Sequence, residues 1–387
     1  MDFIFKNVKG DKVIWFVVFV LYIFSLLAVY SSTGTLAYKY HGGNTEYYML
    51  KQLVIILLGF GLMYLVHKVN YTYFSRISQI ALFVSIPLLI ITLFAGVNLN
   101  EARRVLPLLF GFTFQTSDLA KLALIMYLAR LLTMRQENIK DFKSAFVPIM
   151  LPVIIICFLI LPANFSTAAI LFTTSLVIMF IGRVNLKHIF SIIGIGLVFL
   201  MLMVLIAQSN PNLLPRLNTW VSRIENFKSG EDNSEENYQV EQAKIAIASG
   251  GIVGKMPGNS DQRNFLPHPY SDFIYAIIIE EYGLIGGVFI LLLYLILLFR
   301  AVKIVTKAPG NFGAFLAIGI AFSLVFQALI NMGVAVHLLP VTGQTLPLVS
   351  MGGTSLWFTS ISIGIILSVS REIENKPNYA NELATTA

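Results

Sequence analysis

A single cysteine among 387 residues, Cys157, sits in an apolar run, which excludes an intramolecular disulfide and a cysteine-built metal site. Charge is scarce too: Asp, Glu, Lys and Arg make up 12% of the chain, against about 25% in an ordinary soluble domain. Neither a G-x-x-x-x-G-K-[ST] nor a G-x-G-x-x-G fingerprint occurs, which leaves nothing to couple the chain to ATP or a dinucleotide. A cleavable signal peptide is not evident either. The first apolar run, Val13 to Tyr30, has spanning length and no small-residue cleavage pattern, so it reads as a first helix.

Hydrophobic residues make up 57% of the sequence and mean hydropathy is +0.77. They gather in runs of about 17–25 residues, enough to cross a hydrocarbon core of ~30 Å at ~1.5 Å per residue. The chain therefore reads as an all-α polytopic membrane protein with about ten transmembrane helices, at 13–31, 50–67, 78–96, 117–133, 145–162, 167–182, 188–207, 272–300, 313–335 and 346–370. A net charge of +7 would point to nucleic acid in a soluble chain. Here sixteen Lys and Arg fall in the segments on the N-terminal side of the membrane and four in the short loops opposite. That asymmetry puts both termini in the cytoplasm. Segment 208–271 is then a large outer loop between spans 7 and 8, within a single integral membrane domain, and 371–387 is a short cytoplasmic tail. Its "KSGEDNSEEN" stretch reads as flexible, and "YQVEQAKIAIASGGIVGK" as a short helix ended by Gly250 and Gly251.

Several polar residues at the outer ends of spans need an account. Asp272 stands at the mouth of the eighth span, where a carboxylate either caps the helix or works in chemistry. Glu280 and Glu281 follow at about 12 and 13 Å along the same helix. Carboxylate pairs in glycoside chemistry lie about 5–9.5 Å apart, and Glu281 falls on the face opposite Asp272. Both glutamates therefore read as buried, partnered groups that fix helix packing. Arg103 and Arg104 break the positive-inside trend, and Lys121 sits within the first turns of a span, where an ammonium must pair or meet a ligand. Cations beside a helix start make a seat for a lipid-borne phosphate, to which Lys51, Gln52, Gln115, Ser117 and Ser350 could add. The prolines and glycines of "GVAVHLLPVTGQTLPLVSMGGTS" imply irregular backbone lining a protein-enclosed cavity. His337 within it reads as a hydrogen-bonded interfacial residue, and His268 is isolated by residue type, so no metal-ligand set is legible. An outward-facing, basic cavity with one aspartate fits an enzyme acting on an anionic lipid-linked substrate, and it fits a transporter.

The motifs "KQL", "ARR" followed by "FQTSDLAKLAL", "ANFSTAAIL", "AIASGGIVGKMPGNSDQRNFLPHPYSDFIYAIIIEEYGLIG" and "LLPVTGQTLPLVSMGGTS" resemble the SEDS family (shape, elongation, division and sporulation) over almost the whole chain. "GNSDQR" and "TLPL" are more similar to its division branch than to its elongation branch. The resemblance implies a glycosyltransferase that polymerises lipid II into septal peptidoglycan on the outer face of the bacterial inner membrane. It implies as partners a class B penicillin-binding protein supplying the transpeptidase and other membrane proteins of the division machinery. Asp272 matches the family's essential aspartate, which makes it the general base for the acceptor sugar hydroxyl. Polyprenyl pyrophosphate would leave, its charge offset by Arg103, Arg104 and Lys121. A helix start beside cations depresses a carboxylate's pKa, which works against a base. A divalent cation would alter that balance.

This chain departs from the family pattern in places. His268, Pro269 and Tyr270 follow Pro267 where "PE-x-H" is usual, Asn164 replaces an aspartate, Val105 follows Arg104, and Met351 and Gly352 follow Ser350. Roles of the missing acids do not transfer, and Asp272 remains the one acid of that set in place. The alternatives are a lipid II flippase and a division scaffold without activity.

Overall fold

The computed structural model describes residues 9–99, 102–107, 113–209, 227 and 235–385. Among them run α1 (Lys12–Ser32), α2 (Gly34–His41), α3 (Thr45–Lys68), α4 (Tyr73–Ala95), α5 (Thr116–Met134), α6 (Val147–Ile160), α7 (Phe165–Ile181), α8 (Leu186–Ser209), α9 (Glu235–Gly250), α10 (Ile274–Lys307), α11 (Asn311–Ala335) and α12 (Thr354–Thr385). By length and composition, eight can cross a membrane: α1, α3, α4, α6 with its preceding π-turn 142–146, α8, α10, α11 and α12. Each of the ten apolar runs of the sequence falls on a helix. The two outside the eight are α5, which carries Asp118, Lys121 and Arg130, and α7, which has 17 residues. Side chains such as Phe19, Leu57, Phe83 and Leu197 stand exposed on the bundle surface, which suits lipid rather than water.

Small residues let the helices approach closely, as expected where lipid supplies no hydrophobic drive to packing. A β-carbon on Gly59 would lie 2.8 Å from Leu356 Cδ2 and Ser360 Oγ, and one on Gly364 would lie 2.7 Å from the Met63 carbonyl. These two contacts seat α3 against α12. Beside them Tyr22 and Ser360 share a hydrogen bond of 2.7 Å, and Trp357 Nε1 donates to the Ile55 carbonyl at 3.1 Å.

At one end of the bundle a three-stranded antiparallel sheet, β1 (Val97–Leu99), β2 (Ala102–Pro107) and β3 (Thr113–Gln115), connects α4 to α5. Val105 pairs with Gln115 and Leu106 with Phe114, so β2 lies alongside the start of α5. At the same end the chain between Ala335 and Thr354 is irregular, with Gly343 and Gly353 at positive φ. The last helix therefore begins at Thr354, eight residues later than the hydropathy run implied. His337 stacks on Phe227 with ring centroids 4.9 Å apart, an aromatic contact rather than the hydrogen bond expected for it.

The 34-residue α10 would be about 51 Å long, well beyond a ~30 Å core. It breaks at Gly283, whose φ of 69° and ψ of −175° are not helical. Residues 284–307 alone cover about 36 Å, enough to span. The turns before the break, 274–282, are wrapped by α9 and the 251–264 segment. Glu280 and Glu281 therefore meet polar loop residues and not the middle of a lipid-embedded helix, which corrects the depth implied by counting from Asp272. Glu280 is fully buried and accepts from Lys255 Nζ at 2.9 Å, Ser249 Oγ at 3.3 Å, the amides of Asp261 and Gln262, and Ser260 Oγ. Glu281 accepts from Ser31 Oγ, to which Arg263 also donates at 3.2 Å.

Lys255 joins Glu280 to Asp261 at 2.8 Å, and this clasp has a defined pH range. Its hydrogen bond to Lys255 holds Asp261 below its ordinary 3.8, while Asp261 and then Glu280 hold Lys255 above its ordinary 10.5. A depressed carboxylate stabilises above its unfolded pKa and loses that contribution as pH falls through the folded one. A raised ammonium stabilises below its unfolded pKa and loses that contribution as pH rises through the folded one. Thermolysin cleavage of the 251–264 segment is thus expected to stay flat from about pH 4 to pH 10 and to rise outside that range. Lys255→Met should raise cleavage throughout the range; equal cleavage of variant and wild type would show that the clasp contributes nothing.

Candidate functional site

Four helix starts, those of α5, α7, α10 and α12, lie at the same end of the bundle, together with the C-terminal turn of α11. Hydrogen bonds tie them together. The Gln115 amide donates to Thr354 Oγ1 at 3.3 Å, and that hydroxyl donates to the Thr113 carbonyl at 2.9 Å, joining the starts of α5 and α12. Asn164 caps α7 by accepting from the Thr167 amide at 3.1 Å. Gln344 Nε2 donates to Thr167 Oγ1 at 2.9 Å and to Asn164 Oδ1 at 3.4 Å, fastening the irregular segment to α7. Aligned helix dipoles at several helix starts favour an anion at this end.

Asp272 lies in the turn before α10, one residue ahead of the N-cap position of Phe273, and no side chain caps that helix. Two bonds fix the turn. Asn331 Nδ2, on α11, donates to the Asp272 carbonyl at 2.8 Å and to the Gln344 carbonyl at 2.7 Å. Ser350 Oγ donates to the Ser271 carbonyl at 2.6 Å and accepts from the Leu346 amide at 2.8 Å. Both act on the backbone around Asp272. A β-carbon placed on Gly343 would lie 3.7 Å from Asp272 Oδ2 and 3.9 Å from Arg104 Nη1. The carboxylate of one element and the guanidinium of another thus flank the same bare stretch of backbone. Arg104 is aimed there by donating Nε to the Ala163 carbonyl at 3.0 Å, just before the start of α7.

Two small clefts lie at this end of the bundle. One, beside Arg104, is lined by Arg104, Gln115, Ser117, Ala163 and Asn164. The other is lined by Asp118, Lys121, Ser323, Gln327, Ser355, Thr359 and Ser362. Gln115 Nε2 links them, reaching Ser117 Oγ at 3.2 Å and Asp118 Oδ1 at 3.3 Å. Among the described residues, no group of three or more His, Cys, Asp and Glu is placed to hold a metal ion.

The structure brings Asp272 and Arg104 to Gly343, lines one cleft with Arg104, Gln115 and Ser117, and sorts the other anticipated residues differently. Lys121 is paired, 2.8 Å from Asp118 and 3.2 Å from Gln327 Oε1, so it acts with a counter-charge rather than as a lone cation. The i,i+3 spacing of Asp118 and Lys121 in "TSDLAK" carried that signal. Ser350 spends its hydroxyl on backbone atoms and positions the Asp272 turn, which leaves it poorly placed to bind a ligand. Gln52 is fully buried, donating to Ser25 Oγ at 2.8 Å between α3 and α1, and so is turned away from the site. Lys51 is half-buried at the start of α3, and the Arg103 side chain lies outside the described residues. Asn331 and Gln327 went unread in the sequence. Their i,i+4 placement in the apolar "FQALINMGVA" puts two carboxamides on one helix face, a costly arrangement unless they have partners.

Residues 11–375 match the family described as "Cell cycle protein", which comprises FtsW, RodA and SpoVE. The chain is similar to stage V sporulation protein E of Bacillus subtilis, 32% identical over 371 residues, covering 95% of this chain and 98% of that one. It is equally similar to a probable peptidoglycan glycosyltransferase FtsW of Geobacter metallireducens, 32% identical over 374 residues, with coverage of 95% and 96%. Among solved structures it resembles a chain described as "Structural coordination of polymerization and crosslinking by a peptidoglycan synthase complex", with TM-score 0.71 and 26% identity over 94% of this chain and 98% of that one. The rod shape determining protein RodA of Thermus thermophilus shares the fold, with TM-score 0.67 at 23% identity and coverage of 95% and 98%. A match that runs from Asp11 to Asn375, and so takes in every element of the site, places this chain in the FtsW, RodA and SpoVE family of membrane proteins.

Proposed function

We propose that this chain is a peptidoglycan glycosyltransferase that polymerises lipid II at the outer face of the bacterial inner membrane, during septal wall synthesis and beside a class B penicillin-binding protein. The observation that carries the reading is the convergence of the Asp272 carboxylate and the Arg104 guanidinium on Gly343, among four helix starts. Asp272 takes the proton of the attacking acceptor hydroxyl as the new glycosidic bond forms. The bond from the donor sugar to the pyrophosphate breaks, and the pyrophosphate leaves with its electron pair towards Arg104 and the helix starts. Asn331 and Ser350 hold the base in place through its backbone. The basic residues that put the termini in the cytoplasm set this end outside, and ten crossings complete the topology.

A flippase draws on the second cleft, whose polar lining follows α12 from Ser355 through Thr359 to Ser362. That face continues inward as Ile366 and Val369, both fully buried, so the polar path closes after about two turns. A polar cleft that closes within the bundle suits chemistry at one surface.

Purified protein given lipid II and its transpeptidase partner should yield glycan polymer on a gel; lipid II crossing bilayers without polymer would overturn the reading. Arg104→Lys should raise KM for lipid II about tenfold, since one ammonium cannot both bond Ala163 and reach a phosphate. An unchanged KM would remove Arg104 from the site.

A further inference from the structure

We propose that Tyr270 forms an aromatic ledge beside Asp272 on which sugar rings of the acceptor glycan stack. The inference deepens the glycosyltransferase reading and rests on it. Tyr270 lies two residues before Asp272, in the same turn, and is partly exposed. Its carbonyl accepts from the Met351 amide at 3.0 Å, so the backbone that carries the ring is pinned to the segment preceding α12. Its phenol oxygen lies 3.5 Å from His268 Nδ1, with the two rings nearly perpendicular at 83° and centroids 6.1 Å apart. A flat apolar face edged by a hydroxyl and an imidazole is what a sugar ring requires, with C–H bonds on its face and hydroxyls around its rim.

Burial and then the Asp272 carboxylate push the Tyr270 phenol up. Interfacial tyrosines commonly anchor a protein at headgroup level. That role fits Tyr38, 80% exposed on α2, but it does not explain a ring fixed by its backbone next to the carboxylate.

The test uses the full-length protein in lipid nanodiscs and chitotetraose, a soluble β-1,4-linked N-acetylglucosamine oligomer, with binding followed by saturation-transfer NMR and titration. Tyr270→Ala should weaken binding about tenfold, whereas Tyr270→Phe should stay within about twofold of wild type. Tyr38→Ala should bind as wild type does. Equal binding by Tyr270→Ala and wild type would overturn the ledge, as would equal losses in Tyr270→Ala and Tyr270→Phe when both melt like wild type. The two readings fail separately. If wild-type protein polymerises lipid II while chitotetraose ignores Tyr270, only the ledge is wrong. If chitotetraose depends on Tyr270 but lipid II is never polymerised, the ledge stands as a saccharide site and the glycosyltransferase reading falls.

Discussion

A Gly283→Ala variant is expected to lose at least about 3 kcal/mol of stability and to fail to accumulate as folded protein. Gly283 has φ 69° and ψ −175°, a region in which a β-carbon is strained. Space is a second obstacle, because a β-carbon there would run into the Ile252 carbonyl. Nor can the backbone withdraw, since the break in α10 is closed by that same segment. The Leu284 amide donates to the Gly251 carbonyl at 2.9 Å, the Ile285 amide to the Ile252 carbonyl at 3.3 Å, and the Lys255 amide to the Glu280 carbonyl at 2.9 Å. Gly251, at φ 55° with nothing near its would-be β-carbon, separates strain from collision. Gly251→Ala should cost about 1–2 kcal/mol and remain folded. Thermal melting followed by size-exclusion chromatography checks both. A Gly283→Ala protein that melts with the wild type would mean that the break does not organise this end of the molecule.

Asp272→Asn is expected to lower lipid II polymerisation by about 10²–10⁴-fold while leaving the fold unchanged. The reason for the intact fold lies in the turn itself. Asn331 and Ser350 bind main-chain carbonyls of Asp272 and Ser271, and asparagine supplies the same main chain. What the variant loses is a negative oxygen able to take a proton. The loss should therefore fall on kcat, with KM for lipid II little changed. Polymerisation at the wild-type rate would remove Asp272 from the chemistry.

Much of this was legible in the sequence, and the rest is hidden for identifiable reasons. Hydropathy located the helices because length and apolarity are one-dimensional properties, and it located even α5, despite Asp118, Lys121 and Arg130. It overran at the start of α12, because the apolar Leu346, Val349 and Met351 of a folded-in loop look like helix when only hydropathy is read. Prolines and glycines nearby gave the irregular backbone its proper signal. Asp272 stood out by type and place. Counting from Asp272 puts Glu280 and Glu281 deep in a membrane span, because nothing in the local sequence shows that the turns before Gly283 are wrapped by α9 and the 251–264 segment. Their partners come from Lys255, Ser260 and Ser31, up to 250 residues away, and no local pattern announces them. Ser350 and Gln52 were read by chemistry alone. Which way a hydroxyl or a carboxamide turns depends on the neighbouring chain, and here one turns to the backbone and the other into the bundle.

The most direct test of chemistry at the outer surface confines lipid II to one leaflet. Wild-type protein and a class B penicillin-binding protein are reconstituted into vesicles of defined orientation, and lipid II is supplied only to the leaflet contiguous with Asp272. The expected result is glycan polymer on that side, with no lipid II appearing on the other. Lipid II crossing to the opposite leaflet with no polymer formed would contradict it.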